Sequence, residues 1–509
     1  MYPSWSHHKF EVSADPARIA PVVVHRCSTA SYWAAGIPIE AVERALLRSL
    51  CFGLFAGAGQ TGFARGVTDR ATSAHPCDFH KLEAWRGRGL GRWLMRVVRI
   101  PGLLRLGLVT RDAHAPSGFT GVAHPDRHME KLDRDVYKRA AARGHSWTND
   151  LSMRTSNSPV RIAIVGASGY SGEELVRLLL SHPHVELVAV TSRQSAGQTV
   201  AQVFPKFAGH PRSRTLKFTE PDVAALAAQA DVVFLALPHG VSAEFAVPLV
   251  AAGRVVIDLS ADFRLRSAAV YQEFYAHAHP APDLLARAVY GLPEVYRDQI
   301  RGSSLIASPG CYPTSILLPT LPLLRAGLIK PGGIIADSMS GVSGAGRKAD
   351  VDYLFCECNE SVRAYGVPKH RHLSEIEQEL GIAAGGPVTV QFTPHLIPVN
   401  RGIHTTLYLA PAKHFATAAE LAGLDQQIAA CYRDAYADEP FVRVLEGKAL
   451  PDTKNVVGTN TLELAWRLDA RTGRLIVMSA EDNIVKGASG QAVQSLNIVC
   501  GFPETAGLV

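Results

Sequence analysis

The chain has 509 residues, 47% of them hydrophobic and 19% charged, which excludes a disordered or fibrous protein and is too long for one ordinary domain. Its formal net charge of +6 divides unevenly, with 21 Lys+Arg against 13 Asp+Glu in residues 1–152 and 31 against 33 in residues 153–509. The second part gives no reason to expect a nucleic-acid partner, and no apolar run of about 18 residues suggests a membrane span. Eight irregularly spaced cysteines make no disulfide framework and suit a reducing, cytoplasmic compartment, where a single thiol can serve as a nucleophile.

In chain order, residues 1–152 read poorly as structure. Five of the six tryptophans lie there (Trp5, Trp33, Trp85, Trp93 and Trp147), with no steady helical or strand period around them. Lys81–Leu106 mixes arginine with apolar residues and has the composition of a basic amphipathic helix on a membrane surface; its acidic residues argue against a transit peptide. The expectation is a poorly ordered extension, or one that does not belong to the native protein.

Regular patterning begins after Met153. Val160–Val165 is a β-rich run, followed by a glycine turn and a helical pattern over Glu173–Leu180. Leu187–Thr191, Asp231–Leu237 and Val255–Leu259 are further buried strands, and strands alternating with helices predict a parallel, doubly wound α/β sheet. Beyond Ser308 the strand runs Val388–Phe392, Ile403–Leu409 and Leu462–Leu468 predict an α+β domain with a mostly antiparallel sheet. The expected domains are a Rossmann-type NADP-binding domain over 153–308, an α+β domain over 309–478 and a C-terminal helix over 479–509.

The strand, turn and helix at 160–180 carry glycines at 166, 169 and 172, a G-x-x-G-x-x-G fingerprint. Such glycines let backbone amides approach a pyrophosphate at the positive end of the following helix. Gly166, Ser168, Gly169, Tyr170, Ser171 and Gly172 are therefore candidate cofactor residues. The second strand ends in Thr191-Ser192-Arg193 with no carboxylate for a ribose diol; a hydroxyl and a guanidinium at Ser192 and Arg193 suit a 2′-phosphate and favour NADP.

Ser308-Pro309-Gly310-Cys311-Tyr312-Pro313-Thr314 precedes an apolar helical run, which puts Cys311 at a helix N-terminus. Aligned amides there should stabilise a thiolate and make Cys311 an acyl-accepting nucleophile. The C-x-C pair Cys356 and Cys358, with His370 and His372, does not have zinc-site spacing, so no metal is expected. Ser374 and Glu377 form a capping-box pattern, which sets His370 and His372 just before a helix, neutral and able to exchange protons.

The motifs GASGYSGEEL, SADFRL, SPGCYPTS, SGVSGAGRKA, YGVPKHRHLSEIEQEL, FTPHLIPVNRGIHTT and KGASGQAVQSLN resemble the N-acetyl-gamma-glutamyl-phosphate reductases in their longer form, across the last 357 residues. Residues 1–152 have no counterpart in that family; Cys356–Ser361 and His404 depart from its pattern. The resemblance implies NADPH-dependent reduction of N-acetyl-L-glutamyl 5-phosphate to the 5-semialdehyde in arginine biosynthesis, through a thioester. It implies Cys311 as nucleophile, and His370 as acid/base with His372 its near rival. Arg264, Arg347 and His372 are expected around the anionic substrate, and Pro238, Gly344, Asn483 and Gly487 beside the nicotinamide. A homodimer or homotetramer is implied, with 309–478 as the catalytic and dimerisation domain and the helix over 479–509 returning to the NADP-binding domain. The alternatives are reduction of a carrier-linked aminoadipyl phosphate in lysine synthesis and a non-catalytic NADP-binding regulator on the same fold.

Overall fold

The computed structural model describes residues 158–509 apart from Lys348 and Ala416, and of the first part residues 4–7, 10–15, 18–29, 39, 42, 43, 46, 50–57, 59–68, 73–81 and 105–106. The chain divides into two compact units, Met1–Ser146 and Trp147–Val509.

In the first unit, β1 (Ser4–His7), β2 (Phe10–Ser13), β3 (Leu50–Ala56), β4 (Gly59–Thr68), β5 (Ser73–Lys81) and β6 (Arg105–Leu106) form one sheet in sequence order. All neighbours are antiparallel except the β5/β6 pair. Ile19, Val24 of helix α1 (Pro21–Thr29), Val42, Cys51 and Phe63 pack as its core. This regularity differs from the irregular extension expected. Register shifts at Leu54/Phe55 and Arg65/Gly66, and glycines at 53, 62 and 66, interrupt the period-two signal that would mark strands. Apart from Lys81 and β6, the basic segment 81–106 lies outside the described residues.

The second unit opens with a seven-stranded parallel sheet. β7 (Val160–Val165), β8 (Val185–Thr191), β9 (Phe218–Thr219), β10 (Val232–Leu235), β11 (Val255–Asp258), β12 (Val289–Tyr290) and β13 (Leu305–Ala307) lie in the order β12-β13-β11-β10-β7-β8-β9. Order reverses between β7 and β10, and the crevice at their carboxyl ends is where such sheets bind ligands. Continuous burial of β10 and β11 explains their unbroken apolar runs, since helices cover both faces.

A second seven-stranded sheet follows: β14 (Ile334–Gly341), β15 (Arg363–Ala364), β16 (Val390–Ile397), β17 (Ile403–Leu409), β18 (Val442–Val444), β19 (Leu462–Asp469) and β20 (Arg474–Glu481). Its order is β15-β16-β14-β17-β20-β19-β18, and it is mixed: four pairings are antiparallel, while β14/β16 and β18/β19 are parallel. The long helix Cys311–Arg325 packs against β17 and β20 and is buried along nearly its whole length. The last helix, Gly490–Cys500, is buried at every position and packs on Tyr170–Leu180 of the parallel-sheet half.

Candidate active site

The helix after β7 starts at Tyr170, three residues earlier than its apolar pattern indicates, because the glycines hide its first turn. Gly169 is its N-cap, and beside Gly169 a methyl group would meet nothing nearer than Gly166 O at 3.7 Å, so the amide end of the helix is open. At Gly172 a Cβ would strike Gly166 O at 2.4 Å and Ala167 Cα at 2.6 Å, so only glycine lets the helix close onto the turn. Bare backbone, an open helix N-terminus and a close helix–strand approach fit a dinucleotide pyrophosphate.

The other expected cofactor residues gather here unequally. Ser168 and Ser192 share a hydroxyl hydrogen bond of 2.8 Å, and Ser489 Oγ donates to Ser171 O at 2.9 Å. Arg193 is exposed just beyond β8. Pro238 is exposed past the end of β10, where neighbouring His239 Nδ1 accepts from Ala261 N–H at 3.0 Å. Asn483 holds loops together instead: its Oδ1 accepts from Gly402 N–H at 2.8 Å, and its Nδ2 donates to Ser343 Oγ at 3.0 Å, next to Gly344. Arg347 was expected at the substrate, but its Nη1 donates to Ser168 O at 3.1 Å and its guanidinium lies 6.0 Å from the centre of the Tyr170 ring. It therefore belongs with the glycine turn.

Cys311 is the first residue of the Cys311–Arg325 helix and is half-buried. The turn before it is held by two fully buried charges. Glu375 Oε1 accepts from Gly310 N–H at 2.9 Å and from Tyr290 O–H at 2.6 Å. Arg264, 6% exposed, donates from Nε to Ser308 O at 2.7 Å and from Nη2 to Leu259 O at 2.8 Å, while Nη1 faces Glu375 Oε2 at 3.4 Å. Arg264 thus braces the turn that carries Cys311. Sequence reasoning missed Glu375, whose one signal is its place a helical turn beyond His372.

The helix carrying the histidines begins at His372, not after it. The capping box does not form: Ser374 Oγ donates back to Arg371 O at 2.9 Å, and Glu377 accepts from Val390 N–H at 2.9 Å. His370 Nδ1 accepts the His372 N–H at 3.1 Å, and its ring stands among Tyr312, Tyr365 and Phe392. His372 turns toward the nucleophile: a Cβ at Gly310 would lie 2.7 Å from His372 Nε2 and 3.0 Å from Arg264 Nη1. Burial, reinforced by Arg371, depresses His370 to about 4. Burial, with His370 and Arg264 next, holds His372 well below the imidazole range, so it is neutral at pH 7.

The thiol departs from expectation. Burial pushes Cys311 up to about 12, with the Glu481 charge second; the Tyr312 amide and Arg264 pull it down without prevailing. Gly487 is the close neighbour that permits this packing, for a Cβ there would meet Cys311 Cβ at 2.7 Å and Glu481 Oε1 at 2.9 Å. Among the described residues no group of three His, Cys, Asp or Glu side chains is arranged to hold a metal ion, and no helix is long and apolar enough to cross a membrane.

Residues 161–303 match the family described as semialdehyde dehydrogenase, NAD binding domain, and residues 311–483 match semialdehyde dehydrogenase, dimerisation domain. A curated N-acetyl-gamma-glutamyl-phosphate reductase of Akkermansia muciniphila is 58% identical over 351 residues, 69% of this chain and 98% of that protein. The solved aspartate semialdehyde dehydrogenase II of Vibrio cholerae, in complex with ASA, has a TM-score of 0.50 at 18% identity, covering 67% of this chain and 98% of its own, and shares the fold. A putative acetyltransferase of the GNAT family from Xanthomonas campestris is 37% identical, covering 26% of this chain and 97% of its own with a TM-score of 0.25, too low to bear on this chain. With the nucleophile turn, the glycine turn and relatives matched over almost their whole length, the chain belongs to the N-acetyl-gamma-glutamyl-phosphate reductase family.

Proposed function

We propose that the unit Trp147–Val509 catalyses NADPH-dependent reduction of N-acetyl-L-glutamyl 5-phosphate to N-acetyl-L-glutamate 5-semialdehyde in arginine biosynthesis, through a thioester on Cys311. The observation that carries this is the convergence on Gly310 of the helix-start Cys311, the Glu375–Arg264 clamp and His372. The Cys311 sulfur forms its bond to the acyl carbon as the carbon–oxygen bond to phosphate breaks, dividing one difficult displacement into two steps. Bound NADPH supplies the hydride. His372, neutral in its buried site, offers its N–H to the substrate carbonyl oxygen as negative charge develops there. His370 Nδ1 accepts the His372 backbone N–H and so helps position that imidazole, which supports giving the proton work to His372 over His370.

The glycine turn from Gly166 to Gly172, with Ser192 and Arg193, is the set that would hold NADPH. Arg193→Ala should raise KM for NADPH by about 10- to 100-fold, the loss of one charge-assisted hydrogen bond, and leave KM for NADH unchanged. Steady-state kinetics with both cofactors measure this; an equal change for both would remove Arg193 from 2′-phosphate recognition.

The test of the reaction is NADP-dependent, phosphate-requiring oxidation of N-acetyl-L-glutamate 5-semialdehyde. Activity independent of phosphate would reject the acyl-phosphate product, and faster turnover of a carrier-linked aminoadipate semialdehyde would move the enzyme to lysine synthesis. We further propose that the protein is cytoplasmic and homo-oligomeric, the latter supported by its dimerisation-domain match and by Met339 and Tyr408 exposed on the mixed sheet. A chain beginning at Met153 should fold and match the full chain in kcat and KM, as relatives lacking the first unit are matched over 98% of their length. Insolubility or inactivity of the shorter chain would make residues 1–152 part of the working enzyme.

A further inference from the structure

Glu481 closes β20, paired with Ile403 on one side and Leu462 on the other, and its side chain is completely buried. Neither carboxylate oxygen has a hydrogen-bond partner. Neighbouring acids are all engaged. Asp482 accepts from the N–H groups of Gly458 at 2.7 Å, Ile484 at 2.7 Å and Val485 at 3.0 Å, and Glu294 holds Lys486 at 2.5 Å. Lys486 is thus the nearest cation to Glu481 but is bonded to Glu294 Oε1 and, at 3.0 Å, to Gln494 Oε1. On its other side Glu481 lies near the nucleophile: one point beside Gly487 is 2.9 Å from Glu481 Oε1 and 2.7 Å from Cys311 Cβ, so those two atoms are within about 6 Å of each other, with no hydrogen bond between the side chains.

A carboxylate taken from water with no donor is among the costliest groups a protein can bury, and it escapes the cost by holding a proton. A thiolate beside it would be a second buried anion. Two like charges buried this near each other repel, so the first ionisation of either group suppresses that of the other. The charged groups facing the pair are Asp482, Glu294 and Lys486 on the glutamate side and Arg264 and Glu375 on the cysteine side. Their two cations are already committed to Glu294 and to the Glu375 clamp.

We propose that Cys311 and Glu481 titrate as a coupled pair, in which the attacking thiolate exists when the Glu481 carboxyl carries a proton. In forming it the Cys311 S–H bond breaks and its proton passes to solvent, while an O–H bond forms on Glu481 with a proton taken up, so the net charge of the site is unchanged. The proposal rests on Cys311 being the nucleophile. Glu481 acts through the sulfur and is a positioning residue for its charge. Burial, opposed by Lys486, lifts the Glu481 carboxyl well above the usual carboxylate range, in keeping with a group that holds a proton.

The test is the pH dependence of Cys311 alkylation by iodoacetamide in the full chain, resolved by peptide mass because Cys356 is also exposed. Glu481→Gln, permanently neutral and of the same shape, should lower the alkylation midpoint by about one pH unit or more, a tenfold gain in thiolate near neutrality. Glu481→Asp, which keeps an ionisable group, should stay close to the unmodified chain. Coincident profiles for Glu481→Gln and the unmodified chain would overturn the pair. If the glutamine chain does not fold, infrared titration of the unmodified chain decides: alkylating Cys311 should move the midpoint of a buried carboxyl band to lower pH, and no displaced band would overturn the proposal. Alkylation reads sulfur ionisation without turnover, so failure here leaves the thioester reading standing. A Cys311→Ser chain that still turned over would sink that reading separately.

Discussion

Cys311→Ser should lower kcat by at least about a thousandfold while leaving the Kd for NADP within about twofold. In the proposed route the sulfur begins the reaction, and the residues around it hold its position. Glu375 and Arg264 fix Gly310 and Ser308, and the absence of a side chain at Gly487 leaves room for the Cys311 Cβ. A serine hydroxyl fits the same space but does not ionise there. Burial already lifts the thiol to about 12, and an alcohol starts several pH units higher still. The glycine turn after β7, proposed to hold the cofactor, does not include the sulfur. Single-turnover reduction and calorimetric titration with NADP measure the two halves. Retained turnover would reject the thioester route, and lost cofactor binding would show that the substitution had disturbed the fold.

Lys486→Met should destabilise the Trp147–Val509 unit by about 3–5 kcal/mol, the cost of leaving a buried charge without its partner. Lys486 and Glu294 are both wholly buried, 2.5 Å apart, and Gln494 contacts both, at 3.0 Å from Lys486 Nζ and 3.3 Å from Glu294 Oε1. The pair joins the segment before the last helix to the helix Pro293–Arg301 of the parallel-sheet half, so its loss loosens the attachment of the C-terminus. Replacing both, Lys486→Met with Glu294→Gln, should recover most of the loss, because neither variant then strands a charge. Urea unfolding of the two single variants and the double variant measures this. Equal destabilisation by the double variant would mean that packing volume, not the unpaired charge, sets the cost.

Much of this enzyme is legible without coordinates because its signals are local. The central parallel strand β10 is a continuous apolar run since both faces are covered, and β7, β11 and β17 lie within a residue of where their patterns put them. Cys311 and the glycine turn are readable because a proline-containing helix start and three spaced glycines impose their geometry on any fold around them. Even there the last detail escaped: glycines masked the first helical turn at Tyr170, and a capping-box spelling at Ser374 misplaced a helix that begins at His372.

Tertiary structure decided what depends on residues far apart in the chain. Arg264 and Arg347 are both arginines in glycine- or aspartate-rich loops, and nothing local separates a guanidinium clamping Ser308 and Glu375 from one closing on Ser168. The helix dipole at Cys311 is visible in the sequence, but the burial and the Glu481 charge that outweigh it come from β20, 170 positions later. His372 is separated from His370 only by which ring turns toward Gly310. The sequence by itself determined the fold class and singled out the glycine turn and the helix-start cysteine as candidates, since backbone geometry and apolar period are written in neighbouring residues. Which charges pair, which remain unpaired and what each does to the sulfur were decided only when distant elements came within a few ångströms, because Coulomb forces and desolvation depend on separation in space and not along the chain.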